Sequence, residues 1–176
     1  YEFNDKLKLF LPTAPVYFYG NPGNTGDGVL MAQAVGAQLW NMNKMVGRGI
    51  AYFDGLGFII GIAPAPYVIV DQNGERYMNE DLEAKLNHAV YYDMIKFDTK
   101  TNSYPRNPSW WIFDQSRIDA GPLTYTSMGA VGVGLYDWSA DNSAEIEKGW
   151  IIKAETIEEL AEKTGVPADT LQATMD

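Results

Sequence analysis

The sequence contains no cysteine, which removes disulfides, Cys-ligated zinc, iron–sulfur clusters and thiol catalysis from consideration within this chain. A single histidine, His88, is present, too few for a His-rich metal site. Basic residues are scarce: 13 Lys and Arg stand against 23 Asp and Glu, for a formal net charge of -10. That balance argues against a nucleic-acid partner, whose phosphates call for clustered cations, and disfavours an anionic membrane surface. No apolar run reaches the length of a membrane-spanning helix, and the first residues do not have the pattern of a signal peptide.

Apolar and aromatic side chains are plentiful. Of the 176 residues, 46% are hydrophobic and 13% aromatic, with 20% charged. This is globular composition, enough for a core in one domain or one domain with an appendage. Both ends have the form of cuts. The chain opens on Tyr1, and a helix signalled by Pro167 and Asp169 carries Leu171 and Met175 before stopping at Asp176.

Along the chain, residues 4–10 predict a short helix closed by Pro12, and residues 16–20 a strand or extended segment. A turn-rich stretch, Gly20 to Gly28, feeds a helix over 27–38 that is apolar nearly all round, a pattern expected of a buried helix. Residues 47–66 are rich in Gly, Pro and small apolar residues and read as a long ordered loop. Two β-rich runs, 67–71 and 75–78, flank Asn73-Gly74 and predict a hairpin. A helix follows over 80–96, with Asn79 as its cap, and then a strand over 109–113 and a short helix over 115–120. Residues 121–145 give no clear signal. A strand is expected over 150–154, then a capping box at Thr156 and Glu159. Strands and helices are mixed without βαβ alternation, which predicts an α+β fold.

The most distinctive segment is Thr25-Gly26-Asp27-Gly28, opening the apolar helix. Glycines on both sides of an acid allow close backbone approach to a ligand. An acid repels phosphate, so this is no P-loop; Asp27 accepts hydrogen bonds from hydroxyls, or else it caps its own helix.

Thr25-Gly26-Asp27-Gly28-x-x-Met31-Ala32-x-x-x-Gly36-Ala37 resembles the Thr-Gly-Asp-Gly helix of FAD-binding flavoproteins of the fumarate reductase/succinate dehydrogenase type. Gly74-Glu75-Arg76-Tyr77-Met78-Asn79-Glu80 is similar to a motif of that family's substrate-capping domain, and Trp111-Ile112-Phe113-Asp114 to the capping domain's next strand. The stretch from Trp150 to Met175 resembles the strand and two helices that close it. The resemblance implies a capping domain over residues 47–176, with mixed helices and a short β-sheet, preceded by a piece of the FAD-binding domain over 1–46. It implies that Thr25, Gly26, Asp27 and Gly28 contribute to FAD binding. The phosphate-binding fingerprint would lie outside this chain, so that the piece alone is expected to hold flavin poorly and to be inactive.

The departures from that family bear on the substrate. Its substrate-binding His falls on Arg48, its Thr-Glu-x-x-Arg falls near Ile59, Ile60 and Ala63, and its proton-donating Arg falls at Ala84-Lys85. An Ile-Ile-Gly-Ile stretch neither relays protons nor pairs with a dicarboxylate. The expected enzyme therefore reduces an activated C=C bond, or runs the reverse dehydrogenation, on an organic substrate other than fumarate. Arg48 is the candidate for holding a substrate carboxylate, against the plainer role of a surface Arg. Lys85 and His88 are the candidate proton donors, against a solvated Lys and a structural His. An electron-donor protein or domain is a further possible partner. Arg76, Glu80, Trp110, Trp111, Tyr91 and Tyr92 read as structural. The rival reading is a non-catalytic secreted binding module for carbohydrate, supported by the aromatics, the acidity and the incomplete catalytic set.

Overall fold

A computed structural model describes residues 1–11, 16–44, 47–60, 67–81 and 90–176. Where a loop was expected, the chain folds into a tight hairpin. Strand β1 (Ala51–Phe53) pairs antiparallel with β2 (Leu56–Phe58), placing Ala51 opposite Phe58 and Phe53 opposite Leu56. The turn is Asp54-Gly55, with φ of 50° and 83°. Two successive left-handed residues are what a type I′ turn requires, and its twist matches that of the strands. The long-loop expectation is thus corrected for 47–60; residues 61–66 lie outside the described residues.

The second sheet pairs β3 (Tyr67–Val70) antiparallel with β4 (Trp110–Phe113), Val68 facing Ile112. The expected hairpin after β3 forms its turn but not its ladder. Gly74 adopts φ 82°, the Gly74 N–H donates to the Asp71 carbonyl (3.1 Å), and the Asp71 N–H donates to that of Glu75 (3.0 Å). The Asp71 carboxylate tightens the turn by accepting from the Asn73 and Glu75 N–H groups. The return is a single bridge from Val70 to Arg76. Trp110 to Phe113 offer four consecutive bulky residues to β3, whereas Glu75 and Arg76 are charged. Arg76 instead pairs with the buried Glu80, whose carboxylate also accepts from the Ile69 N–H (2.9 Å).

The helices are short: α1 (Asp5–Lys8), α2 (Asp27–Ala34), α3 (Val90–Met94), α4 (Gln115–Asp119), α5 (Gly129–Gly132), α6 (Ser143–Glu147), α7 (Ile157–Thr164) and α8 (Ala168–Met175). Of the helix expected over 80–96, Glu80, Asp81 and α3 are helical, and 82–89 lie outside the described residues. No strand forms over 150–154, because the Trp150 and Ile151 N–H groups both donate to the Glu145 carbonyl and close α6 instead.

Two cores result, and the fold class is α+β as expected. One gathers Phe58, Leu123, Ala130, Trp138 and Ile151, with Trp150 stacked on Phe53 at 5.0 Å. The other packs Val70 and Ile112 of the second sheet against Ala161, Val166 and Leu171 of the α7–α8 pair. Buried polar groups in the first core are satisfied: Trp138 Nε1 and the Leu123 N–H donate to Asn142 Oδ1, and the Tyr136 hydroxyl donates to Glu145 Oε1.

A further expectation is not met within this chain. Helix α2 was to be buried, yet it has no buried residue, and Met31 and Val35 are 71% and 86% exposed. Of its apolar residues only Val29 is partly buried.

Candidate functional site

Two places hold chemistry-bearing residues with bonding capacity unused. The first is the start of α2. Gly26 is the N-cap at φ 81°, and a Cβ there would lie 2.6 Å from Leu7 Cδ1 and 3.1 Å from Tyr1 Cβ. Both the left-handed conformation and the contact with α1 demand glycine. No side chain caps α2. Asp27 therefore does not cap its own helix; among the described residues its exposed carboxylate accepts only from the Thr25 hydroxyl (3.0 Å). A Cβ on Gly28 would meet nothing within 4 Å. An acid with spare lone pairs beside an unobstructed glycine fits the hydroxyl-bearing part of a nucleotide cofactor, not its phosphates.

The second place is Gly47-Arg48-Gly49, which lies along α3. A Cβ on Gly47 would fall 2.1 Å from Tyr91 Cδ2, so the ring sits directly on the backbone, and one on Gly49 would lie 3.7 Å from Met94 Sδ. Arg48 Nε and the Tyr91 hydroxyl are both buried without a hydrogen-bond partner. Tyr91 as a whole is 9% exposed. Each orphaned donor costs about 1–3 kcal/mol of desolvation, and few native polar groups are left in that state. The other three arginines are satisfied: Arg76 by Glu80, Arg106 by Asp93 (3.3 Å), and Arg117 by the carbonyls of Gly121 and Pro122. Arg48 has no carboxylate partner among the described residues. Burial, reinforced by Tyr92, pushes the Tyr91 phenol upward, so it stays protonated and a donor at neutral pH. Arg48 was legible from the sequence. Tyr91 was read as core, and nothing in the sequence distinguishes it from the exposed Tyr92 beside it.

Lys85 and His88 lie outside the described residues. The described residues hold no group of three or more His, Asp or Glu able to bind a metal, and no helix long and apolar enough to cross a membrane. Ile59 is fully buried and its carbonyl accepts from the Thr124 hydroxyl (2.9 Å), and Ile60 packs against the first core, so these two residues serve the core.

No protein-family model matches the chain. Over its full length it is 30% identical to a 3-oxosteroid 1-dehydrogenase of Mycolicibacterium smegmatis, of which it covers 30%. The chain resembles one segment of that longer enzyme. It is also 27% identical, over 88% of its length, to a 4-oxocyclohexanecarboxylate 2-dehydrogenase of Sinomonas cyclohexanicum, covering 25% of that protein. A crystal structure of 3-ketosteroid delta1-dehydrogenase from Sterolibacterium denitrificans, in complex with 1,4-androstadiene-3,17-dione, shares the fold over 98% of this chain with a TM-score of 0.63, at 22% identity and over 30% of its own length. Each relative is named as a dehydrogenase and neither is named for fumarate, in line with the expectation of C–C chemistry on another substrate. The carbohydrate-module reading finds no support among them.

Proposed function

We propose that this chain is the substrate-capping part of an FAD-dependent oxidoreductase that acts on a CH–CH bond of a cyclic oxo compound. Residues 47–176 form the cap, and residues 1–46 belong to the FAD-binding domain. The observation that carries the reading is the uncommitted Asp27 carboxylate beside bare Gly28, on a helix with no buried face, in a chain matched end to end by a 3-oxosteroid dehydrogenase. The remainder of such an enzyme accounts for what covers α2.

When bound, FAD supplies the two-electron acceptor for a hydride leaving one ring carbon. Asp27 accepts hydrogen bonds from cofactor hydroxyls, Thr25 orients its carboxylate, and Gly26 and Gly28 keep the approach open. Arg48 holds a polar group of the small-molecule substrate. Lys85 and His88 are the proposed acid–base groups, exchanging a proton with the neighbouring carbon. The cap excludes water as it closes. A separate protein or domain exchanges electrons with the flavin.

The test is flavin content in the flavin-loaded protein that carries this chain. Asp27→Ala is expected to lower the flavin-to-protein ratio on purification, and a ratio equal to the unmutated protein's refutes the assignment. In the same preparation, near-unmutated turnover of 4-oxocyclohexanecarboxylate and of a 3-oxosteroid in both Lys85→Ala and His88→Ala would remove those residues as proton carriers.

A further inference from the structure

We infer that Tyr91 and Arg48 together form a carboxylate-recognition site, so that the ligand of this cap is an oxo acid and not a neutral ketone. The inference deepens the proposed function and takes from it only the choice of probe.

Three observations support it independently. Each carries a donor with nothing to donate to: Arg48 Nε and the Tyr91 hydroxyl are buried and unpartnered, and an acceptor-only group such as a carboxylate can take a bond from both. They belong to neighbouring parts of the fold, because the Tyr91 ring rests on Gly47, the residue before Arg48. The charge is also unbalanced. In a chain of net charge -10, Arg48 is the arginine without a carboxylate or carbonyl partner among the described residues. A cation with one buried donor left unpaired calls for an acceptor, and an anion answers both needs. A guanidinium fork with a phenol matches the two oxygens of a carboxylate, each of which accepts more than one hydrogen bond. A neutral ketone would satisfy the phenol and leave the cation unpaired.

Binding to the chain itself, followed by NMR, tests this without flavin. Titration with 4-oxocyclohexanecarboxylate is expected to move the backbone amides of Gly47 and Gly49 and the ring resonances of Tyr91 along one saturation curve. Its neutral methyl ester is expected to move none of them. Tyr91→Phe keeps the ring seated on Gly47 and removes only the hydroxyl; about tenfold weaker binding is expected, the usual effect of losing one hydrogen bond to a charged group. Arg48→Gln should abolish saturation. Equal binding of the ester, or unchanged affinity in Tyr91→Phe, overturns the inference. If the Tyr91→Phe chain loses its fold, ring resonances of the unmutated Tyr91 that stay still during titration overturn it equally. An absence of any shift means that an ordered water alone satisfies both donors, and that result also refutes it. A chain that binds the acid while Asp27→Ala leaves flavin content intact keeps this inference and loses the flavin assignment; the opposite pair of results does the reverse.

Discussion

Tyr136 shows how one buried carboxylate organises a stretch whose sequence says little. Glu145 is fully buried at the start of α6 and accepts from the Tyr136 hydroxyl, the Ser139 N–H and the Ser139 hydroxyl. Lys148 lies over the rings of Tyr136 and Trp150, at 4.4 and 4.5 Å from their centres. Burial, then the hydrogen bond to Glu145 and its charge, push the Tyr136 phenol from 10.0 up to about 12. Tyr77 also reaches about 12, chiefly through burial. The sign follows from linkage: a phenol whose folded value is raised favours the folded state while it stays protonated. That stability is fully present below pH 10 and is lost as pH rises toward about 12, where the unfolded chain has already released its protons. Denaturant unfolding measured at steps across this window should therefore show a decline, shallower in Tyr136→Phe than in the unmutated chain. Superimposable profiles would mean that the phenol is not coupled to the fold in this way.

At the scale of elements, glycine decides where chain segments meet. Gly74 holds φ 82° in the turn after β3, and a Cβ there would lie 2.8 Å from Val166 Cγ1 and 3.1 Å from the Leu171 nitrogen. The Thr174 hydroxyl donates to the Gly74 carbonyl (2.7 Å), tying α8 to the same turn. Gly74→Ala is expected to destabilise by about 1–3 kcal/mol from the left-handed backbone alone, with the clash against α8 adding to it. A melting temperature within a degree of the unmutated chain would contradict the packing described. This turn was legible because Asn73-Gly74 is a local signal. Its partner strand was not, because β3 chooses β4 some forty residues away on side-chain bulk. Asp54-Gly55 carried the same kind of signal but sat between runs of only three residues, too short to stand out from a Gly-rich stretch. The capping box was readable and is half displaced: Thr156 Oγ1 accepts from the Glu159 N–H (3.1 Å), while the Glu159 carboxylate accepts from the N–H of Glu155, one residue earlier than expected. Residues 121–145 were opaque since their order comes from contacts with Phe58 and Trp150, distant in sequence. Among the candidate site residues, Thr25 to Gly28 and Arg48 stand out in the sequence as motif or charge. Tyr91 was not, since only burial without a partner sets it apart.

For the molecule as a whole, α2 is the informative misfit. Its sequence has the all-round apolarity of a buried helix, yet within this chain Leu30, Met31 and Val35 are exposed, and so is Trp40 beyond its end. Several large apolar side chains exposed on and beside one helix are characteristic of an interaction site, and the proposed function supplies its occupant as the remainder of the FAD-binding domain. The two environments separate in experiment. In the chain alone, Met31→Glu with Val35→Glu removes no buried contact, so thermal stability should change by no more than about 0.5 kcal/mol per site, as for ordinary surface positions. In the flavin-loaded protein the same charges would be driven into an apolar interface without partners, at a cost of several kcal/mol, and flavin should be lost during purification. A marked loss of stability in the chain alone would show that α2 already packs against its own chain, and full flavin retention in the larger protein would show that this surface faces water there too.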